Sequence, residues 1–365
     1  LVAMETEIKG SILEIIDGVV ETFKQIENLN DRRLSRLQKG EELIERSEKK
    51  RLNLQIDLIN KLDKIYLNPN KQEILLDQIY GLNKKISNIT KKRKKLGKFN
   101  FERSLVMGIL NVTPDSFFDG GKYLLRDNAI EQFKKLIKEG ADIIDIGGES
   151  TRPGSKEIRV NEEIRRIIPI ISQIRKKYKK EFISVDTRKS QVMKEACKFN
   201  INLINDVSGL RFDKNSKKFL NSNKIPFVLM HSISTPEKMQ KTIKYKDVLL
   251  DIYDFFEKQI SLCEKNGISK SRIIIDPGIG FGKTLQQNLK LISNIALFHS
   301  LGLPVLLGSS RKSFIGKIEK NELYEDRLGG SIATVLHGLA EGVQIFRVHD
   351  VYATKQSIKV YSKIK

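Results

Sequence analysis

LVMGILNVTPDSFFDGGKYLLRDNAIEQFKKLIKEGADIIDIGGEST, residues 105–151, carries one complete structural period of the chain. It opens on an apolar run, Leu105–Leu110, and passes into a polar stretch that ends on Gly120 and Gly121. A helical face follows, made by Ala129, Phe133, Leu136 and Ile137. A second apolar run, Ile143–Ile146, then breaks into Gly147 and Gly148. Short apolar runs separated by helical periodicity predict strands joined by crossover helices, hence a parallel sheet.

The same grammar repeats downstream. Further strands are predicted at Phe182–Val185, Leu203–Asn205, Phe227–Met230, Ile273–Ile275, Val305–Leu307 and Ile345–Val348. Eight such units after residue 100 predict a (β/α)8 TIM barrel over 101–365, close to the ~250 residues usual for that fold. A doubly wound open sheet is the rival, but the Gly-rich turn it usually carries after its first strand is missing after Leu110.

Upstream the pattern differs. Ile8, Ile12, Ile15, Val19, Phe23 and Ile26 step by three or four and predict one apolar helical stripe. Helical spacing continues through Leu58 and Leu62 until Asn68, Pro69 and Asn70 interrupt it, and a further helix is expected over 71–90. Residues 1–90 therefore read as an all-helical hairpin or bundle, an accessory segment before the barrel. Residues 91–100, with the run Lys91, Lys92, Arg93, Lys94 and Lys95 and then Gly97, read as a basic linker.

Composition narrows the function classes. The 365 residues hold 66 Lys and Arg against 45 Asp and Glu, a net charge of +21. The excess is diffuse: residues 1–100 carry 21 basic and 15 acidic side chains (+6), the remainder 45 and 30 (+15). Without interleaved aromatic residues for base stacking, this is a solvated surface rather than a nucleic-acid site. Two cysteines make no disulfide framework, and a reducing, cytoplasmic setting is expected. No apolar run is long enough to span a bilayer, and Glu5 and Glu7 do not suit a secretory signal. The chain opens on Leu1, which fits a fragment or an alternative start such as Met4.

In a barrel, the C-terminal strand ends form the active rim. Here they deliver Asn111, Asp145, Asp186, Asn205, Asp206, His231, Asp276, Lys312, Arg347 and His349. Singly, each has a plain reading. A carboxylate after a strand is often a helix N-cap, and that reading weighs evenly for Asp145 and Asp206. Gly278–Gly282 reads equally as a tight turn. Together they suggest chemistry. Asp186, Asn205 and Asp276 suit the amide and amine edges of a flat heterocycle. Arg152, Lys312, Arg347 and His349 offer cationic donors for phosphate oxygens. Asn111 can ligate a hard cation such as Mg2+, which accepts few protein oxygens. Phe117 and Phe281 can cover an aromatic substrate or simply pack their loops.

The motifs MGILNVTPDSFFDGG (107–121), ADIIDIGGESTRPGS (141–155), SVDTRKSQV (184–192), INDVSG (204–209), IIDPGIGFGK (274–283), GSSRKSFIG (308–316) and RVHDV (347–351) occur in order. This series resembles the dihydropteroate synthases, pterin-binding TIM barrels, over about residues 103–360. The resemblance implies a transferase of folate biosynthesis that uses Mg2+, works as a homodimer and is a sulfonamide target. It condenses 6-hydroxymethyl-7,8-dihydropterin diphosphate with 4-aminobenzoate, giving 7,8-dihydropteroate and diphosphate. By motif position, Asp186, Asn205, Asp276, Lys312 and Arg347 would hold the pterin, with Asp186, Lys312 and Arg347 catalytic. Asn111 would bind Mg2+, and Arg152, Arg347 and His349 would meet the diphosphate. Thr151, Pro153, Phe281 and Ser310 would line the aminobenzoate pocket, and Asp115, Ser116 and Phe117 would sit on a mobile first loop. Phe118, and Ser232 to Ser234 where the family often has an Arg-Gly pair, depart from the pattern.

Two other readings remain open on the residues alone. Methyltetrahydrofolate corrinoid methyltransferases share a pterin-binding barrel, but they bind no diphosphate and leave the Arg152, Ser310–Lys312 and Arg347–His349 sets unexplained. A nucleic-acid or partner-binding role is the alternative for the N-terminal helices.

Overall fold

The computed structural model describes residues 2–38, 45–63, 95–113, 122–151, 154–233, 245–318 and 323–364. They belong to two compact units, one within residues 1–90 and one within 91–365.

The first unit contains two helices, α1 (Val2–Gln38) and α2 (Glu45–Asp63). They pack side by side and antiparallel. Lys61 of α2 donates to Thr22 Oγ of α1 at 2.8 Å and pairs with Asp57 at 2.8 Å, while Arg33 meets Glu48 at 3.1 Å at the other end. Ile26 and Leu58 are buried between these polar ties. The helix expected over 71–90 lies outside the described residues.

The second unit is the barrel. Its strands are β3 (Leu105–Asn111), β4 (Ile143–Gly147), β5 (Phe182–Asp186), β6 (Leu203–Asp206), β7 (Phe227–Met230), β8 (Ile273–Asp276), β9 (Leu306–Leu307) and β10 (Ile345–Val348). All eight predicted strands are present. Their order is β8-β7-β6-β5-β4-β3-β10-β9, joined by seven parallel ladders. The circle closes between β8 and β9 through one bridge, Ile275 to Val305, with Ile275 N donating to the Pro304 carbonyl at 2.9 Å. Nearly every strand residue is buried, as expected where helices cover the outside and side chains fill the inside.

The outer ring holds α3 (Lys122–Lys138), α4 (Val160–Lys177), α5 (Ser190–Cys197), α6 (Asn215–Ser222), α7 (Val248–Lys265), α8 (Leu285–Ser293), α9 (Ser313–Ile318), α10 (Leu328–Ala340) and α11 (Val351–Ile364). Local sequence sets several starts. Asp247 caps α7 by accepting from Leu249 N at 2.8 Å and Leu250 N at 3.1 Å. Thr284 and Gln287 form a reciprocal capping box on α8.

The linker expected over 91–100 is different over its second half. Lys95–Leu96 (β1) and Phe99–Asn100 (β2) form an antiparallel hairpin, turned by Gly97 at φ 55°. Its two apolar side chains, Leu96 and Phe99, join Leu105, Met107, Ile143, Leu203, Val228, Ile274, Leu306 and Ile345, most of them near the strand starts, in one buried cluster. The hairpin therefore plugs the end of the barrel opposite the active rim. Phe99 also packs against Phe182, ring centroids 5.0 Å apart. Removing a ring buried this way costs about 3–5 kcal/mol. The driving force is the apolar floor of the barrel, which a linear reading of a basic stretch does not disclose.

Candidate active site

At the C-terminal ends of the strands, four residues from four strands form one network. Arg347 (β10) donates from Nε to Asp145 Oδ2 (β4) at 2.7 Å and from Nη2 to Asp186 Oδ2 (β5) at 2.8 Å. Asn205 (β6) donates from Nδ2 to the same Asp145 oxygen at 3.0 Å. Asp145 is fully buried and Asp186 nearly so. Burial pushes the Asp186 carboxyl up to about 8, against the opposing pull of Arg347 and with help from the nearby Asp145 charge. Asp145 is thus no helix cap. It orients Asn205 and Arg347, a role the even-handed reading of a strand-end carboxylate left undecided. Asp206 is no helix cap either: its Oδ1 accepts from Ser208 N at 2.7 Å and Ser208 Oγ at 2.6 Å, shaping its own turn, and the next helix starts only at Asn215.

Beside this network lie Asp276 and Lys312, close enough for each to feel the other's charge. Asp276 Oδ1 accepts from Gly278 N at 2.7 Å, and burial raises its carboxyl while the Lys312 charge opposes the rise. Lys312 donates to the Ile279 carbonyl, and its Nζ lies 4.6 Å from the centre of the Phe281 ring. Burial brings the Lys312 ammonium down to about 8, with Asp276 holding it up. The loop beneath has a core of its own. Lys283, buried, donates to the carbonyls of Gly278 at 2.8 Å and Phe281 at 3.0 Å, with His231 Nδ1 at 3.1 Å. Gly278 has φ 70°, and a Cβ there would fall on the His231 carbonyl oxygen.

A third group comes from the ends of β9 and β10. The His349 amide donates to Ser310 Oγ at 3.2 Å, and that oxygen lies 3.1 Å from His349 Nδ1. Ser310 can therefore give its proton to Nδ1, which leaves Nε2 as the hydrogen-bearing nitrogen of a neutral ring. Burial, seconded by the Arg347 charge, lowers His349 to about 4. Between Ser310 and Lys312, Arg311 adopts a left-handed φ of 54°, held by two bonds of 2.7 Å to Asp350. That clamp turns its two neighbours toward the rim.

Asn111 ends β3, paired in register with Gly147, and its Oδ1 lies 3.8 Å from where a Gly147 Cβ would stand. Thr151 follows β4 at the same rim, half-buried. Asp115, Ser116, Phe117, Arg152 and Pro153 lie outside the described residues. Sequence reasoning passed over Asp145, Lys283 and Glu149 as site residues. For all three a signal existed: Asp145 stands near the end of its strand, and Glu149 and Lys283 lie in the strand-end motifs 141–155 and 274–283. Among the described residues, no group of three or more His, Cys, Asp or Glu is placed to hold a metal, and no helix is long and apolar enough to cross a membrane.

Comparison with known proteins agrees with this geometry. The family described as pterin binding enzyme matches residues 107–349. The dihydropteroate synthase of Escherichia coli (strain K12) is 42% identical over 255 residues, 70% of this chain and 89% of that one. The structure of Xanthomonas albilineans dihydropteroate synthase with 4-aminobenzoic acid superposes with a TM-score of 0.68 at 40% identity, covering 73% of this chain and 94% of that one. That of the Yersinia pestis enzyme with a sulfonamide drug complex gives 0.69 at 37% identity, covering 74% and 98%. With strands, rim residues and relatives in agreement, the chain belongs to the pterin-binding enzyme family and, within it, to the dihydropteroate synthases.

Proposed function

We propose that the chain joins 6-hydroxymethyl-7,8-dihydropterin diphosphate to 4-aminobenzoate, releasing 7,8-dihydropteroate and diphosphate. The observation that carries this reading is the buried network of Asp145, Asp186, Asn205 and Arg347. It sets carboxylate, amide and guanidinium groups at one point of the rim. Asp186, Asn205 and Asp276 present acceptors and a donor to the pterin edge, and Lys312 and Arg347 complete its surround. As diphosphate leaves, Arg347 and His349 Nε2 are donors for its oxygens, with Arg152 assigned the same task from its motif. The carbon left behind is cationic and stabilised by the pterin ring, and the Asp186 carboxylate, whose ionised form that developing positive charge favours, stabilises it electrostatically. The amine of 4-aminobenzoate attacks this carbon and then loses a proton. Phe281, Ser310 and Thr151 line its pocket, with Pro153 assigned there from its motif. From their motif, Asp115, Ser116 and Phe117 are assigned the task of keeping out water, which would otherwise trap the cation.

A divalent cation suits the donors present. Asn111 offers a neutral amide oxygen at the rim beside Gly147. One protein oxygen plus substrate oxygens and waters is an ordinary Mg2+ environment. Mg2+ bound there would neutralise charge on the departing diphosphate.

Formation of dihydropteroate from the two substrates with Mg2+, followed by chromatography, tests the assignment. Folded protein that makes no product at any Mg2+ level would refute it. The protein works as a homodimer in the cytoplasm on this reading, with residues 1–90 serving dimerisation or packing. Deleting 1–90 is then expected to lower the sedimentation mass or the melting temperature, and a deletion that changes neither removes that role.

A further inference from the structure

Glu149 stands just after β4 and takes no part in the pterin network. Its carboxylate is 7% exposed, and groups from two other segments converge on it. Arg188 Nε donates to Oε2 at 2.9 Å, and Lys189 Nζ donates to Oε1 at 3.0 Å. The Ile158 amide donates to Oε1 at 2.9 Å. Lys189 also donates to Glu163 Oε2, in the first turn of α4, at 2.7 Å. Two carboxylates thus face two cations, all nearly out of solvent. Arg188 is fixed from behind by the Phe212 ring, 3.9 Å from its guanidinium carbon.

The position of Ile158 gives this cluster its meaning. Glu149 begins the loop after β4 and Ile158 ends it, so one carboxylate joins both legs. A second rung lies inside the first: Ser155 Oγ donates to the Ser150 carbonyl at 2.6 Å. Arg166 of α4 donates to the Gly148 carbonyl at 2.9 Å and holds the loop's base. Thr151 lies inside the second rung, one residue beyond Ser150, at the rim. Buried ion pairs are costly to rearrange, so Glu149 and Ile158 have one preferred placement. Asn205 and Arg347, by contrast, are tied together through Asp145, and Asp186 through Arg347.

We propose that Glu149 is a positioning residue for the arylamine substrate. By clamping both legs of the 149–158 loop to Arg188 and Lys189, it sets where Thr151 meets 4-aminobenzoate and leaves pterin capture untouched. This rests on the function proposed above, in which Thr151 lines the aminobenzoate pocket.

The test is a split in kinetic constants. Glu149→Gln keeps the shape but turns an amide group toward Arg188. Its KM for 4-aminobenzoate is expected to rise on the order of ten- to a hundred-fold, the scale of an ångström-sized misplacement. Pterin affinity, measured by titration calorimetry with a 6-hydroxymethylpterin, stays within about two-fold, since its ligands are not touched. Glu149→Asp, which keeps the charge, recovers part of the loss. The double variant E149A/R188M removes the clamp while leaving Lys189 and Glu163 paired, and it should show the same split. Unchanged aminobenzoate KM in a cooperatively melting variant, or equal weakening of both substrates, overturns the proposal. If no Glu149 variant folds, Arg188→Lys tests the clamp from its other side with the same outcomes. Wild-type protein assayed in parallel separates the cases: absence of product there refutes the function, not the clamp.

Discussion

Arg347 Nη2 lies 2.8 Å from Asp186 Oδ2, although β3 and β4 separate their strands in the sheet. The contact crosses the mouth of the barrel. It holds a carboxyl raised to about 8 within reach of the Arg347 cation, which favours its ionised form.

Asp186→Asn is therefore expected to fold and to lose turnover by on the order of 10²–10³-fold, the scale for removing one preorganised electrostatic group. Wild-type turnover would remove Asp186 from the mechanism. Stability provides a second readout. The folded pKa, about 8, lies above the unfolded value, so the native state keeps a proton the unfolded chain has lost. This group's contribution falls as pH rises from about 4 toward about 8. The variant should show a smaller drop in melting temperature between pH 5 and pH 8 than the wild type.

Lys312 touches both halves of the site, next to Asp276 on the pterin side and over Phe281 on the other. Lys312→Ala should weaken use of both substrates, each by roughly ten-fold or more, as for loss of a charged hydrogen-bond donor. Steady-state kinetics with each substrate varied in turn will show this. An effect confined to one substrate would reassign Lys312 to that side.

His349 contributes with the opposite sign to Asp186. Its folded pKa, about 4, lies below the unfolded value near 6.5. The unfolded chain binds more protons within that window, so this contribution is present above it and lost as pH falls through it. His349→Gln should lose less stability than wild type between pH 6.5 and pH 4.5 in thermal melts. It should also reduce kcat/KM for the pterin diphosphate by about ten-fold, through loss of the Nε2 donor. Parallel melting curves would contradict a buried neutral His349.

Two glycines separate backbone strain from close contact. Gly302 has φ 70° with open space around it, so Gly302→Ala should cost about 1–2 kcal/mol. Gly278 has the same φ, but its Cβ would collide with the His231 carbonyl under the Lys283 loop. Gly278→Ala should cost clearly more in denaturant titrations and should disturb the Phe281 loop. Equal costs would mean that the carbonyl yields freely.

How far the sequence was legible depends on the range of each interaction. The strands were readable because residues such as Ile273–Ile275 are apolar at every position, the mark of burial on both faces. Asn205, Asp276 and Lys312 were readable as strand-end polar groups, and their motifs agreed. Asp145 was ambiguous, because a capping carboxylate and a network carboxylate look alike until Arg347 arrives from about two hundred residues away. The role of Glu149 depends on the amide of Ile158, which no side-chain pattern marks. The hairpin at Lys95–Asn100 was hidden for a related reason. Leu96 and Phe99 are only two apolar residues among lysines, and the floor they fill is built from strands far along the chain.

The single bridge between Ile275 and Val305 gives the barrel a latch where its other strands have ladders. Asp276 stands on one side of that latch and the segment carrying Ser310 and Lys312 on the other. Backbone amides beside it should exchange with solvent before those of β3 or β4, which are locked on both sides. Ligands that contact Asp276 and Lys312 together would act as a staple across the latch, so substrate occupancy and the slow breathing of the barrel wall become one equilibrium read from two ends.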